Sequence, residues 1–129
     1  MSALTPLKIL LVDDEEIVRH VLIAQLGHLG HQVHETEDGY KGLQALTDER
    51  YDVAFVDIRM PGLDGLAFLS QTKDIRPNMP VIIMSGHGSE ETRDEALAAG
   101  AFGFLHKPFR FQEVCELLDR VNERKRLTS

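Results

Sequence analysis

The sequence predicts an α/β fold, a doubly wound (βα)5 arrangement around a five-stranded parallel sheet, and three observations carry that expectation. Short apolar runs of the kind found in strands covered on both faces alternate with stretches whose apolar residues recur at helical spacing. The alternation runs through five strands and five helices, so each strand returns to the sheet through a helix and the strands run parallel. Four of the five strands are followed at once by polar groups that a sheet does not need.

Ile9-Leu10-Leu11-Val12 forms the first strand, and the acids Asp13-Asp14-Glu15-Glu16 break it. Val18, Leu22, Leu26 and Leu29 then make one apolar helical stripe, closed by Gly30. Val33 with His34, Glu35 and Thr36 gives a half-exposed strand suited to a sheet edge. Asp38-Gly39 turns into a helix over 40–49 with Leu43 and Leu46 inward.

Val53 to Val56 is a short continuous apolar run, the mark of a strand covered on both faces, and ends in Asp57, with Met60-Pro61-Gly62 breaking the chain beyond it. A helix over 63–73 buries Leu66 and Leu69. Val81-Ile82-Ile83-Met84 is the fourth strand, closed by Ser85-Gly86-His87-Gly88. The helix over 89–99 has Leu97 as its only large apolar residue, a thin anchor. Phe102-Gly103-Phe104-Leu105 precedes His106-Lys107-Pro108, and a last helix over 111–124 aligns Phe111, Val114, Leu118 and Val121.

In a doubly wound sheet of order 2-1-3-4-5, the strands carrying Asp13-Asp14, Asp57, Ser85 and Lys107 lie side by side, with the half-polar second strand at an edge. One cleft at the carboxyl edge then holds three carboxylates, a hydroxyl and an ammonium. Three clustered carboxylates repel unless a cation sits among them, and oxygen ligands suit a hard ion, Mg²⁺ before Ca²⁺. Mg²⁺ with Lys107 brings about +3 against the acids' −3, a setting for a phosphoryl group. Asp57 is the candidate nucleophile, because carboxylates form aspartyl phosphates, and Ser85 can donate to phosphoryl oxygens.

Val12-Asp13-Asp14-Glu15, Asp57-Ile58-Arg59-Met60-Pro61-Gly62, Ser85-Gly86-His87-Gly88 and Lys107-Pro108-Phe109 together resemble a response-regulator receiver domain of two-component signalling over essentially the full chain. The Met-Pro-Gly and Ser-Gly-His-Gly wording is similar to receivers of the nitrogen-regulation and nitrogen-fixation type. The resemblance implies that Asp57 accepts phosphate from the phosphohistidine of a sensor histidine kinase or phosphotransfer protein. It implies metal ligation by Asp14, Asp57 and the backbone carbonyl of Arg59, with Asp13 acting through water. It implies a Lys107 paired with the acyl phosphate, a cis Lys107-Pro108 bond, and a switch built on Ser85 and Phe104. Tyr is common in the family at the position of Phe104, so any rotation here is driven by packing alone. The surface formed by helix 4, strand 5 and helix 5 would relay the signal to a downstream output domain or protein, and homodimerisation on phosphorylation fits the same reading.

Simpler readings stand beside these. Asp13 also suits a helix cap, Phe104 a core aromatic, and Ser85-Gly86 an ordinary turn. His28, His31 and His34 show no ligand spacing and are expected to be solvated. Arg59 and His87, each two residues past a cleft residue, are candidates for controlling the water that ends the aspartyl phosphate. A flavin- or nucleotide-binding redox protein would carry a phosphate loop where this chain has four acids. A Mg²⁺-dependent phosphatase would place an acid where Arg59 stands. The expected protein is thus a signalling module rather than an enzyme, taking part weakly in its own phosphorylation and dephosphorylation.

The totals bound the rest. At 129 residues, 43% hydrophobic and 27% charged, one soluble domain spanning 1–129 is expected, with a core over about 7–124 and a fraying or linking tail at 125–129. A net charge of −7 argues against a nucleic-acid-binding surface. The lone Cys115 suits a reducing compartment, and no stretch suits a membrane span or signal peptide, so the cytoplasm is the expected location.

Overall fold

The computed structural model describes residues 5–86 and 90–128. Its elements alternate as β1 (Lys8–Val12), α1 (Glu16–His28), β2 (Gln32–Thr36), α2 (Gly39–Asp48), β3 (Val53–Asp57), α3 (Gly65–Ile75), β4 (Val81–Ser85), α4 (Glu90–Ala98), β5 (Gly103–His106) and α5 (Phe111–Thr128). All five strands are parallel, in the order β2-β1-β3-β4-β5, as expected. β3 and β4 are buried along their whole length, whereas β2 at the edge buries only Thr36. The alternating faces of the strands feed two separate cores. Leu10, Val12, Ala54, Val56 and Ile83 pack with Leu46, Phe68, Leu69 and Ala96 of α2, α3 and α4. Ile9, Leu11, Phe55, Ile82 and Leu105 pack with Leu22, Leu26, Val114 and Leu118 of α1 and α5.

Helix α3 starts two residues later than the pattern suggests, because Asp64 caps it by accepting from the Ala67 amide at 2.8 Å. Phe68, fully buried, is its main apolar contact; Leu69 is buried with it and Leu66 only partly. In α4 the expected anchor is displaced by one residue. Ala96 is fully buried while Leu97 is 37% exposed, so the core meets a methyl group rather than an isobutyl group. Phe111 likewise turns outward, and Leu117 takes a place in the α5 face beside Val114, Leu118 and Val121. Helix α5 also runs on to Thr128, past the expected tail boundary at 124, through Lys and Arg residues that favour helix. His31, expected in solvent, is buried, and its Nδ1 accepts the Leu7 amide at 3.0 Å. Burial holds its imidazole below the ordinary histidine range, and the Asp52 charge only partly offsets this.

Gly65 lies where α3 meets the end of β3. A Cβ there would stand 2.5 Å from the Asp57 carbonyl oxygen and 2.6 Å from Ile58 Cα, both backbone atoms that cannot step aside. Gly27, by contrast, has open space around it in the last turn of α1. Gly65→Ala should therefore cost about 1–3 kcal/mol, and Gly27→Ala should add about 0.5–1 kcal/mol. Urea unfolding of both variants checks the pair, and effects of equal sign would contradict the packing described here.

Candidate functional site

The parallel register sets the site. Val12 pairs with Val56, Asp57 with Met84, and Ser85 with His106, so the residues leaving β1, β3, β4 and β5 emerge on one carboxyl edge. The Lys107 amide donates to the Ser85 carbonyl at 2.7 Å, which ties the last strand end to the fourth. Ser85 is 1% exposed. The Lys107-Pro108 peptide is cis, as the resemblance implied.

Asp13 and Asp57 are buried and Asp14 is exposed, and one carboxylate oxygen from each lies within 4.8 Å of the others. Lys107 Nζ reaches into this group: 2.8 Å from Asp13 Oδ2, 3.0 Å from Glu15 Oε1 and 3.4 Å from Asp57 Oδ2. Asp13 also braces the turn ahead of α1, since its Oδ1 accepts the Glu15 amide at 2.8 Å. The cap position of α1 itself falls to Glu15, which makes no side-chain capping bond, so the helix-cap reading of Asp13 does not hold. The Arg59 amide donates weakly to Asp57 Oδ1 at 3.4 Å, while the Arg59 residue itself is exposed. Phe104 is partly buried against the core shared by α2, α3 and α4. His87 lies outside the described residues.

Two contributors were not singled out from sequence. Glu15 shares Lys107 with Asp13, and Arg19 donates to the Asp13 carbonyl at 2.8 Å while its Nε holds Glu35 at 2.9 Å. Arg19 thereby fixes the acidic turn against the edge strand. Glu15 was visible as part of the acid run; nothing in the spacing of Arg19 sets it apart from a surface arginine.

Burial pushes the Asp57 carboxyl up to about 6, and the Asp13 charge adds to the effect. The Lys107 ammonium and the Arg59 amide pull the other way without prevailing. Burial alone would lower Lys107, but its bonds to Asp13 and Glu15 and the charge of Asp57 outweigh that and hold it above the usual lysine range. The donor set fits a hard divalent ion. Its oxygens come from three separate carboxylates gathered within 4.8 Å, a ligand type that hard ions such as Mg²⁺ prefer, with water completing the shell.

The raised Asp57 value has a definite sign. A carboxyl at about 6 in the folded chain, against 3.8 ordinarily, stabilises the fold fully below about 3.8, and that contribution is lost as pH rises through about 6. In metal-free buffer, Asp57→Asn should raise unfolding free energy by about 1–3 kcal/mol near pH 8 and leave it unchanged near pH 3.5. Urea titrations at the two pH values test this; a difference independent of pH would contradict it.

Comparison with known proteins gives a consistent result. The family model described as the response regulator receiver domain matches residues 9–119. The chain is 44% identical over 111 residues to the DNA-binding transcriptional regulator NtrC of Klebsiella pneumoniae, covering 86% of this chain and 24% of that protein. It is 35% identical over 124 residues to the response regulator MprA of Mycobacterium sp. (strain KMS), covering 96% of this chain and 53% of that protein. The crystal structure of a response regulator receiver domain protein from Clostridium thermocellum superposes with a TM-score of 0.89 at 33% identity, covering 95% of this chain and 98% of that one. The receiver domain of NtrX from Brucella abortus gives 0.84 at 37% identity, covering 89% and 98%. The chain thus spans about a quarter of NtrC and about half of MprA. Acids and a lysine gathered at one sheet edge, on a fold matched along nearly the whole chain, leave one assignment: this chain belongs to the response-regulator receiver domains of two-component signalling.

Proposed function

We propose that the chain, as a single receiver unit, takes a phosphoryl group on Asp57 from the phosphohistidine of a sensor kinase or phosphotransfer protein. The observation that carries this is the buried Asp57 carboxylate with the Lys107 ammonium 3.4 Å away and two further acids within 4.8 Å. An Asp57 oxygen attacks phosphorus, the phosphorus–nitrogen bond breaks with its electron pair going to the imidazole, and the imidazole nitrogen takes a proton. The product is a mixed anhydride of aspartate and phosphate. Asp14, Asp57 and the Arg59 carbonyl, with Asp13 through water, would hold Mg²⁺, which when bound supplies the charge neutralisation that lets a carboxylate meet a phosphoryl group. Lys107 supplies the cation from the protein's side, and the buried Ser85 carries the only side-chain hydroxyl of β4, at its site end. Hydrolysis of the anhydride resets the site, with Arg59 and His87 controlling access of water.

The phosphoryl group adds up to two negative charges. Lys107, shared beforehand among Asp13, Glu15 and Asp57, is drawn toward the modified residue, and Ser85 is drawn with it. Helix α4 follows because its buried contact is the single methyl of Ala96. Phe104 adjusts by packing, and the α4, β5 and α5 surface changes its preference for an output domain, a partner protein or a second copy. The response is a shift between two populations present beforehand. Protein contact rather than nucleic-acid contact by this chain is the output, in keeping with its net charge of −7. No described helix is long and apolar enough to cross a membrane, and we place the protein in the cytoplasm with its kinase's phosphodonor site.

Incubation with acetyl phosphate and Mg²⁺ should add one phosphoryl mass, seen by intact-mass spectrometry. Asp57→Asn or chelation of the metal should abolish it, and Lys107→Ala should slow it by about tenfold or more. An unmodified wild-type chain, or modification that survives Asp57→Asn, contradicts the proposal. Arg59→Ala and His87→Ala should each change the half-life of the modified protein; unchanged decay in both ends that part.

A further inference from the structure

At the other end of the sheet, the segments entering β3 and β4 and the ends of α3 and α5 surround a cavity of about 480 Å³. That size falls within the range of small-molecule sites. Four cationic residues line it, Arg50, Arg76, Arg124 and Lys125, against one carboxylate, Asp52. The carboxylate is already engaged: Oδ1 accepts from Lys125 Nζ at 2.8 Å and Oδ2 from the Lys8 amide at 2.7 Å. Four cations and one acid leave the lining at +3, within a chain of net charge −7. Such a reversal of sign in a concave surface concentrates anions.

Two further features define what fits. Arg76 Nε is buried without a hydrogen-bond partner, a donor whose desolvation nothing in the described structure repays. Ile75, Met79, Pro80 and Val121 form an apolar wall in the same cavity. Guanidinium groups bind phosphate through paired N–H donors, and the apolar wall suits a ring rather than water. Cations converging from three segments on one hollow suit charge concentrated at a point, not carboxylates spaced along a peptide.

We propose that this cavity binds a phosphorylated small molecule with an apolar ring, of the nucleoside mono- or diphosphate class, with Arg76 and Arg50 on its phosphate. The cavity is built from the amino ends of β3 and β4, away from Asp57, so the proposal does not rest on the phosphoacceptor reading.

Amide correlation spectra of the ¹⁵N-labelled chain, titrated with ADP, AMP, adenosine, inorganic phosphate and a poly-glutamate peptide at matched ionic strength, test it. ADP and AMP should shift the amides of Asp52, Arg76 and Lys125 saturably, and adenosine should bind at least about tenfold more weakly. Arg76→Ala should weaken ADP by about tenfold or more with little rescue by Arg76→Lys, and Arg50→Ala, at an exposed position, should weaken it severalfold. Asp57→Asn should leave the affinity unchanged. The proposal is overturned by the absence of saturation with both nucleotides, by inorganic phosphate or adenosine binding as well as ADP, by tighter binding of the peptide, or by unchanged affinity in both arginine variants.

Discussion

Two buried carboxylates, Asp13 and Asp57, are set beside each other at the open edge of the sheet, and one ammonium, Lys107, stands between them and Glu15. Charges taken out of water repel more strongly than they would outside, so the arrangement persists only while a cation is present. Lys107 meets that need in part. It lies closer to Asp13 than to Asp57, and it does not offset the burial of Asp57 and the neighbouring Asp13 charge, which together hold that carboxyl above its ordinary value. A site left short of positive charge in this way favours a divalent ion, and with that ion it favours a phosphoryl group. Attraction for both partners thus arises from one imbalance.

The fold serves to maintain the imbalance. β1 and β3 are buried almost throughout, so Asp13 and Asp57 at their ends cannot retreat into solvent without disturbing both cores. Gly65 lets α3 close down on the Asp57 backbone, and Arg19 ties the Asp13 carbonyl to the edge strand. The opposite holds for α4, which reaches the core through Ala96. Rigid strands beneath a loosely attached helix give a local change of charge somewhere to go.

Strands, helices and the gathering of Asp13, Asp14, Asp57, Ser85 and Lys107 were legible in the sequence because each depends on a short-range pattern. An apolar run marks a buried strand, and strand ends in a parallel sheet share an edge whatever the side chains between them do. What could not be read depends on tertiary rotation. Whether Ala96 or Leu97 faces the core is decided by how α4 lies on the sheet, and a helix with so little hydrophobicity leaves that choice open. Phe111 and Leu117 differ for the same reason, each being near one edge of the α5 stripe. His31 looked polar in isolation and is buried because a backbone amide, that of Leu7, needed an acceptor. The parts played by Glu15 and Arg19 rest on side-chain reach, for which sequence spacing carries no signal.

The charge imbalance is open to direct observation through the Asp57 carboxyl carbon, followed by ¹³C NMR across pH with and without Mg²⁺. Without metal the carboxyl should titrate at about 6, and saturating Mg²⁺ should move its midpoint clearly downward. A midpoint near the ordinary 3.8 that ignores Mg²⁺ would mean that these groups do not share one site.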